Sequence, residues 1–290
     1  MQLDPAHLAA LAAVLRHGSF DHAAAALHVT PSAVSQRIRA LEDRVGTTLI
    51  IRASPARATE AGARLARHAT ELSLLEADLA RDLTLDAEPG KLRVAVTADS
   101  LATFVIEALT GATGLLYEIV VDDQAHSADW LRRGEVSAAI TDHGQPIQGC
   151  DCHPLGTLRY LATASPDFVA RHFTGGVTAE ALALAPMLRF SQKDSLQHDW
   201  LYRLTGRKLL PPCHDLPSPQ GFVEAARRGL GWGLNPEIMV RDEIAQGTLV
   251  AFHRDLPMDT ALYWQVRRAV APALDALTRS MRRAAGSHLI

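Results

Sequence analysis

The sequence predicts an α/β protein that begins with an all-helical part, continues through one long helix and ends in a larger part where strands and helices alternate. Ala, Leu and Arg dominate the chain to about residue 86, and Leu49–Ile51 is the only strand-like run there. The Pro and Gly of segment 86–90 then interrupt the helical pattern. From Lys91 onward, short β-rich runs alternate with helical stretches, which is typical of α/β folds with mainly parallel sheets.

The charge and cysteine content exclude several classes of protein. The 290 residues include 29 basic and 32 acidic residues, and a net charge of −3 creates no overall field that would attract nucleic acid or a membrane. Residues 1–58 nevertheless carry six Arg and four acidic residues, so the helical part is mildly basic. Three Cys are too few for a disulfide framework, and the sequence shows neither a basic, apolar leader nor an 18-residue apolar run. We therefore expect a cytoplasmic protein with no membrane segment.

Three consecutive helices are predicted at the N-terminus. The apolar stripe of the first helix ends at His17–Gly18, and Ser19 is the expected N-cap of a second helix that runs to Leu27. After a short turn, Thr30 should cap a third helix whose first residue is Pro31. This arrangement predicts a helix-turn-helix.

The third helix has the composition of a DNA recognition helix. Its apolar residues share one face, which comprises Val34, Ile38, Leu41 and Val45. The opposite face carries short hydroxyls, an amide and guanidinium groups, which suit close approach, bidentate contact with adenine, and contact with guanine or phosphate. Together with the cap, these candidate DNA-binding residues are Thr30, Ser32, Ser35, Gln36, Arg37 and Arg39. An ordinary three-helix bundle with a polar outer face is the alternative interpretation.

A two-stranded wing is predicted after the third helix. Its strands would lie within 48–52 and 57–58, on either side of an Ala-Ser-Pro-Ala turn. Arg52 and Arg57 flank that turn, where guanidinium groups can contact phosphate or the minor groove. The N-terminal part is therefore predicted to be an all-α winged helix-turn-helix domain that binds double-stranded DNA.

A long linker helix is predicted from segment 59–62 to about Leu83. Leu65, Leu72 and Leu79 recur every seven residues and form an apolar seam. We expect this seam to pair with a second copy of the helix, because a homodimer also matches the two-fold symmetry of a palindromic DNA site. The alternative is that the seam packs against the rest of the same chain.

Several segments together resemble the LysR-type transcriptional regulators, and the resemblance covers essentially the whole chain. The segments that carry it are 20–42 (FDHAAAALHVTPSAVSQRIRALE), 58–62 (ATEAG) and 131–140 (LRRGEVSAAI). The most similar branch of the family is the one that controls basic amino-acid export. The segments resembling that branch are 30–38, 98–101, 123–126, 131–136 and 221–233.

The resemblance implies a fold, a function and a set of partners. The C-terminal part would be a periplasmic-binding-protein-like effector domain, with a ligand in the cleft between two α/β subdomains. The protein would be a homodimer, assembling further into a tetramer, that binds an A/T-rich interrupted palindromic operator and contacts RNA polymerase. Its effector would be lysine or arginine, and it would activate an exporter gene. A different small effector on the same fold is the alternative.

These considerations divide the chain into three expected parts. The winged helix-turn-helix domain would comprise 1–58, the linker and dimerisation helix 59–88, and the effector-binding domain 89–290. Within the last part, subdomain I would comprise about 91–160 and 266–290, and subdomain II about 161–265.

The first predicted strand of the effector domain ends at a candidate site for a carboxylate. Thr97 closes this strand, and Asp99 or Ser100 would cap the helix that follows. A helix N-terminus at a strand end offers free N–H groups and a favourable dipole. We therefore expect the α-carboxylate of an amino acid there, with a hydrogen bond from the Ser100 hydroxyl. The alternative is that Ser100 only caps its helix.

Acidic residues at other strand ends are candidates for the cationic end of the effector, since an unpaired buried charge is destabilising by several kcal/mol. Asp122 and Asp123 follow one predicted strand, and Asp142 follows the next. The resemblance to the export-regulator branch favours Asp123.

The predicted second subdomain contributes Ser191, which follows a strand, and Ser218, which precedes a helix. Both would face the cleft in the expected topology. The sequence departs from the branch at Gln124, where a further acid is common, at Thr97 in place of Asn, and at Phe104 in place of Trp. These departures leave the choice among lysine, arginine and histidine open.

Metal binding and catalysis are the alternatives from other classes. Cys150, Cys152 and His153 could bind a metal with Cys213 and His214, but C-x-C-H is not a standard zinc spacing. The sequence contains no H-E-x-x-H, G-x-S-x-G, Walker A or G-x-G-x-x-G motif. An enzyme acting on amino acids would need a nucleophile–base pair, which the sequence does not show. We therefore expect no metal, no cofactor and no catalytic residue.

Overall fold

The computed structural model describes residues 3–85, 89–122 and 124–290. These residues form a helical N-terminal part, one long helix and a C-terminal part built on a large sheet, so the predicted α/β class is confirmed. Within the described ranges, no helix combines the length and the apolar character that crossing a membrane requires.

The N-terminal part contains the three predicted helices, which are α1 (Pro5–His17), α2 (Phe20–Ala26) and α3 (Pro31–Val45). The side chains of Asp4, Ser19 and Thr30 accept hydrogen bonds from the first turns of these helices, as N-caps do. α1 and α3 end at Gly18 and Gly46, whose φ angles of 66° and 79° suit glycine. The predicted caps and helix ends are confirmed.

A short hairpin follows α3 and is fixed to the helices. Its strands β1 (Ile50–Ile51) and β2 (Arg57–Ala58) pair antiparallel. The carboxylate of Glu42 on α3 accepts a hydrogen bond from the backbone N–H of Leu49 at 2.8 Å. The N–H of Ala56 bonds the carbonyl of Gly18 at the end of α1, also at 2.8 Å. The predicted wing is therefore present, and we call residues 3–58 the headpiece.

The long helix α4 (Glu60–Asp82) connects the headpiece to the C-terminal part. Thr59 caps it by accepting a hydrogen bond from the N–H of Gly62, as the sequence predicts for this segment. Leu65 packs against the apolar core of the headpiece, whereas Leu74 is buried in the core of the C-terminal part. α4 therefore belongs to the packing of both parts.

The C-terminal part contains a seven-stranded sheet and a two-stranded sheet. In chain order the strands are β3 (Gly90–Val96), β4 (Leu115–Val121), β5 (Ala138–Thr141), β6 (Cys150–Ala164), β7 (Met187–Arg189), β8 (Cys213–Asp215), β9 (Gly233–Pro236), β10 (Val250–Ala251) and β11 (Met258–Arg267). The large sheet has the order β10-β6-β11-β5-β3-β4, with β9 also paired to β6. β7 and β8 form the small parallel sheet.

The prediction of mainly parallel sheets is wrong for the large sheet. β3 is parallel to β4 and to β5, but β6 is antiparallel to β9, β10 and β11, and β11 is antiparallel to β5. The physical reason is that β6 and β11 are long strands that run in opposite directions beside each other. Two neighbouring strands become parallel when a crossover connection, usually a helix, joins them, whereas β6 and β11 pair with their neighbours without such a connection.

Helices cover the sheets on both faces. After β3 the chain forms a continuous helical segment made of α5 (Ala98–Ser100), five residues of π-helix (Leu101–Val105) and α6 (Ile106–Thr110). The remaining helices are α7 (Gln124–Arg133), α8 (Pro166–His172), α9 (Ala179–Leu184), α10 (Leu196–Thr205), α11 (Pro219–Arg227), α12 (Glu237–Ala245) and α13 (Asp275–His288). α7 packs on β5 and β3, and α13 packs on α6 and the π-helix.

The strands β6 and β11 join two halves of the C-terminal part. Residues 263–266 of β11 pair with β5 in the half that contains β3 and β4. Residues 160–164 of β6 pair with β9 and β10 in the other half. One apolar core cluster nevertheless extends through both halves, from Val94 to Trp232. The region between the halves is therefore bounded by the middle of these two strands.

The apolar face of α4 is covered only in part. Leu65 and Leu74 pack inside the protomer, but Leu75, Leu79 and Leu83 are exposed, with 58% of Leu79 accessible. The alternative in which the whole seam packs on its own chain is therefore wrong for its C-terminal half. Apolar side chains that recur on one helix face are stabilised when a partner surface removes them from water.

We expect Leu79→Asp to reduce the oligomeric state while leaving the protomer folded, because the new charge would be buried only in a helix-to-helix contact between copies. Sedimentation velocity should show smaller species, with an unchanged far-UV spectrum. Leu184→Asp on α9 is the matched control, since Leu184 is 76% exposed and lies outside α4. An unchanged assembly in Leu79→Asp would contradict pairing through this seam.

Candidate functional site

The outer face of α3 presents the predicted DNA-binding side chains. Ser32, Gln36 and Arg39 are exposed, and Ser35 and Arg37 are half-buried beside them. The amide of Gln36 has no hydrogen-bond partner among residues 3–85, 89–122 and 124–290, so it is available to a base edge. The buried face of the same helix packs into the headpiece, as the periodicity predicts.

The cap and the wing place the remaining DNA-binding candidates around α3. The Thr30 hydroxyl caps α3 and lies 2.9 Å from the hydroxyl of Ser32. The guanidinium of Arg52 stacks over the ring of Phe20 at 5.5 Å, and Arg57 is exposed on β2. Both arginines are therefore on the hairpin, on the two sides of its turn. The contacts of all eight residues with DNA stay predictions.

A cavity of about 80 Å³ lies between the two halves of the C-terminal part. Its walls combine the ends of β3 and β4, the middle of β6, and loops and helix ends of the other half. The lining residues are Thr97, Ala98, Asp99, Asp122, Tyr160, Phe190, Asp194, Leu196, Gln197, Pro219, Phe222, Leu234, Asn235 and Pro236. It lies where the sequence predicts the effector cleft.

Three of the predicted effector-binding residues, Thr97, Asp99 and Asp122, line this cavity. The expected cap, however, is wrong. Thr97, not Asp99 or Ser100, caps α5, because Thr97 keeps the extended conformation that a cap requires and accepts a hydrogen bond from the N–H of Ser100 at 3.1 Å. Ser100 is fully buried behind the cavity wall, where its hydroxyl accepts a hydrogen bond from Thr97 at 2.7 Å.

Three other candidates, Asp142, Ser191 and Ser218, are not among the residues that line the cavity. Asp142 is exposed beyond the end of β5. The hydroxyl of Ser191 accepts a hydrogen bond within its own turn, and Ser218 is the N-cap of α11. Asp123 lies outside the described residues, so its contact with the effector stays a prediction.

Two further groups shape the charge of the cavity: Tyr160, which sequence reasoning missed, and Asp194, which lies in the segment after Ser191 that was expected to face the cleft but was not selected as a ligand. The hydroxyl of Tyr160 on β6 donates a hydrogen bond to Asp99 Oδ2 at 2.8 Å. The carboxylate of Asp194 accepts hydrogen bonds from the backbone N–H groups of Phe190 and Leu196 at 3.1 and 2.9 Å. Asp194 follows a predicted strand closely, so the rule that selected Asp122 could have selected it as well.

Sequence reasoning also missed Gln197 and Asn235, which are 2% and 0% exposed. Their side-chain oxygens, Oε1 and Oδ1, have no hydrogen-bond partner within the described residues. Asn235 Nδ2 donates to the hydroxyl of Thr163 at 2.9 Å, which fixes the orientation of its amide. An unpaired buried acceptor costs about 1–3 kcal/mol, so both oxygens suit N–H donors of a ligand. Asn235 was detectable as a polar residue within an otherwise apolar predicted strand, whereas Gln197 gave no such signal.

The cavity is strongly acidic. Burial raises the pKa of Asp99 to about 6; the hydrogen bond from Tyr160 opposes this rise, and the negative charge of Asp194 adds to it. The Asp122 carboxylate accepts a hydrogen bond from the indole N–H of Trp130 at 2.8 Å. Three carboxyl groups in one enclosed space favour a cationic ligand.

Two helix N-termini border the same cavity. Ala98 is the first residue of α5, Pro219 is the first residue of α11, and both line the cavity. Backbone N–H groups at helix N-termini favour anions. The cavity therefore combines groups for a cation with groups for a carboxylate, as the two ends of an amino acid require.

The sulfur-rich segments do not form a metal site in the described part of the chain. Cys150 and Cys152 are in β6 of the large sheet, whereas Cys213 is exposed in β8 of the small sheet. Among the described residues, no cluster of three or more His, Cys, Asp or Glu side chains could hold a metal ion.

The fold and the two sites define a DNA-binding regulator with a ligand-binding domain. The family model for "Bacterial regulatory helix-turn-helix protein, lysR family" matches residues 5–63, and the model for "LysR substrate binding domain" matches residues 86–286. The chain belongs to the LysR family of transcriptional regulators. It is a regulator and not an enzyme.

Within that family, the chain is similar to the regulators LysG and ArgP. It is 43% identical to LysG of Mycobacterium tuberculosis over 286 residues, which cover 98% of this chain and 94% of the relative. The crystal structure of ArgP from Mycobacterium tuberculosis matches 99% of both chains with a TM-score of 0.86 and 42% identity. Full-length LysG from Corynebacterium glutamicum with bound effector Arg matches 99% of both chains with a TM-score of 0.75 and 38% identity.

We expect Gln36→Ala and Arg57→Ala to affect DNA binding differently. Loss of the Gln36 amide should relax the base preference at one operator position by ~1–3 kcal/mol. Loss of Arg57 should weaken binding to all sequences alike and lower the salt dependence by about one charge. Fluorescence anisotropy with a set of operator variants at several salt concentrations measures both effects. Unchanged preference in Gln36→Ala would contradict the placement of α3 in the major groove.

We expect Asp99→Asn to stabilise the ligand-free protein at pH 7.5. The pKa of Asp99 is raised to about 6, so its contribution to stability is present below the ordinary pKa and is lost as the pH rises through 6. The difference corresponds to about 3 kcal/mol. The melting temperature of Asp99→Asn should therefore exceed that of the wild type at pH 7.5, and the gap should narrow as the pH falls through 6 and close below the ordinary pKa of 3.8. Asp142→Asn, at an exposed aspartate, is the control, and equal behaviour of the two variants would contradict this assignment.

Proposed function

We propose that this regulator senses a basic amino acid, lysine or arginine, in the cavity between the halves of its C-terminal part. The observation that carries the proposal is the pairing of three carboxyl groups with two unpaired, buried amide oxygens in one cavity. An ammonium or guanidinium group carries the positive charge that carboxyl groups attract, and it brings N–H donors for the two amide oxygens.

The pose follows from the charges on the walls. The cationic end of the effector lies among Asp99, Asp122 and Asp194, with Asp123 as a further candidate. Its N–H groups donate to Gln197 and Asn235 from the opposite wall. The α-carboxylate lies at the helix N-termini that begin with Ala98 and Pro219. Ser100 supports this site through Thr97, because its hydroxyl is already bonded there.

The structures of relatives support the class of effector. LysG of Corynebacterium glutamicum has been solved with bound effector Arg. We extend that ligand class to this chain because the carboxyl groups of its own cavity suit a guanidinium. We further propose that the protein acts in the cytoplasm and that the bound state activates an exporter gene.

We also propose the division of the chain into 1–58, 59–88 and 89–290, with subdomain I at about 91–160 and 266–290 and subdomain II at about 161–265. The residues that line the cavity divide between the two subdomains, which supports this division of the chain. Asp99 and Asp122 would belong to subdomain I, and Asp194, Gln197 and Asn235 to subdomain II. The exposed part of the α4 seam supports a homodimer on a palindromic operator, and a tetramer that contacts RNA polymerase would extend this assembly.

We expect calorimetry to detect lysine or arginine binding and to show far weaker binding of norleucine and citrulline. The neutral analogues lack the charge that the three carboxyl groups attract, and a charged, hydrogen-bonded pair in a closed site is worth about 2–5 kcal/mol. Binding of the neutral analogues as tight as that of the basic amino acids would contradict the proposal.

We expect Gln197→Leu to raise the stability of the ligand-free protein while weakening effector binding. The substitution removes a buried oxygen that has no partner, which relieves up to about 1–3 kcal/mol, and it also removes an acceptor for the ligand. Thermal shift with and without arginine measures both effects. Leu196→Met in the same wall, which removes no polar group, is the control. If the substitution changes the stability of the ligand-free protein and the affinity for arginine in the same direction, Gln197 only supports the fold.

A further inference from the structure

The carboxylate of Asp122 connects the cavity to α7. It lines the cavity and accepts the indole N–H of Trp130 at 2.8 Å. A cation that binds Asp122 competes for the same oxygen atoms, since a carboxylate shares a limited number of lone pairs among its donors. Occupancy of the cavity therefore acts on the position of Trp130.

The ring of Trp130 is held between two guanidinium groups. Those of Arg93 on β3 and Arg133 at the end of α7 lie 5.2 and 5.1 Å from its centroid. Such cation–π contacts hold the ring against both groups. A displacement of the indole is therefore passed to Arg133 and to the turn that follows it.

This turn touches the linker helix α4. Arg67 Nη1 donates to the carbonyl of Arg133 at 3.2 Å. Gly134, with φ of 70°, leaves room for the same guanidinium, because a Cβ at that position would lie 1.8 Å from Arg67 Nη1. Arg67 is two residues after Leu65, which packs against the headpiece core. A contiguous set of contacts therefore runs from the cavity to the helix that carries the headpiece.

We propose that Trp130 and the Arg133–Gly134 turn couple occupancy of the cavity to the linker helix through Arg67. This inference rests on the proposed function for the identity of the ligand, but the contacts themselves do not depend on it. Trp130 acts as a positioning residue, since its indole touches Asp122 rather than the ligand. Loss of any contact in this route uncouples ligand binding from DNA binding while leaving each of them intact.

A second contact between α4 and the C-terminal part serves as the comparison. Glu71 and Arg267 form an ion pair at 2.6 Å that involves neither Asp122 nor Trp130. If coupling needed only a firm attachment of α4, Glu71→Gln would reduce it as much as a change of Arg67. The proposal predicts that it does not.

The test measures the operator affinity with and without saturating arginine, and the ratio of these two affinities reports the coupling. Calorimetry measures arginine binding in parallel. Allosteric couplings are typically about 5–150-fold. Trp130→Phe, which keeps the ring but removes the indole N–H, should reduce the wild-type ratio at least fivefold or abolish it. Arginine affinity should stay within about threefold. Arg67→Met and Gly134→Ala should have the same effect, and Glu71→Gln should keep the wild-type ratio.

A double-mutant cycle without any effector keeps the test independent of the ligand. In the wild-type background, Asp122→Ala should change operator affinity by threefold or more. In the Arg67→Met background, the same substitution should change the logarithm of the operator affinity by less than half as much. Additive effects, or a wild-type ratio in both Trp130→Phe and Arg67→Met, would overturn the inference. Failure of the wild type to bind lysine or arginine would refute the proposed function alone, because the cycle still decides the coupling.

Discussion

The gathering of three carboxyl groups around one cavity between the two halves is the constraint on which the proposed effector site depends. Asp99, Asp122 and Asp194 line the same space, and each is held by a hydrogen bond from Tyr160, Trp130 or the backbone. These bonds stabilise the carboxyl groups without neutralising them. Three carboxyl groups around one cavity therefore favour a positively charged ligand there.

The positions of β6 and β11 explain why such a site can open. The cavity takes the carboxyl groups of Asp99 and Asp122 from one half, and the carboxyl group of Asp194 together with the two amide oxygens from the other. Among the described residues, β6 and β11 are the strands of the large sheet that pass between the halves. A ligand that bonds both walls stabilises their approach. β6 carries Tyr160, which lines the cavity, and β11 carries Arg267, which forms an ion pair with Glu71 of α4. The two strands therefore border both the cavity and the linker helix.

The sequence predicted local features well because their causes are local. Ser19 and Thr30 were predicted as caps, and each bonds the backbone N–H of a residue three positions away. The cap of α5 was assigned to Asp99 or Ser100 instead of Thr97, because several neighbouring polar residues could serve there. Strand ends likewise located Asp99 and Asp122. Gln197 and Asn235 were missed because burial and the lack of a partner depend on chain segments that meet only in the fold. The antiparallel pairing of β6 was missed for the same reason, since strand direction depends on the neighbour and not on composition.

The bond between Glu42 and the N–H of Leu49 has a geometric consequence for the operator. It fixes the recognition helix and the wing as one body, so the distance between their DNA contacts cannot adjust to the sequence. One inserted base pair between the two contacted segments rotates the DNA by roughly 35° and lengthens it by about 3.4 Å. We therefore expect a half-site of this regulator to have a defined length as well as a defined sequence, so that spacing alone would distinguish its operators from those of a more flexible headpiece.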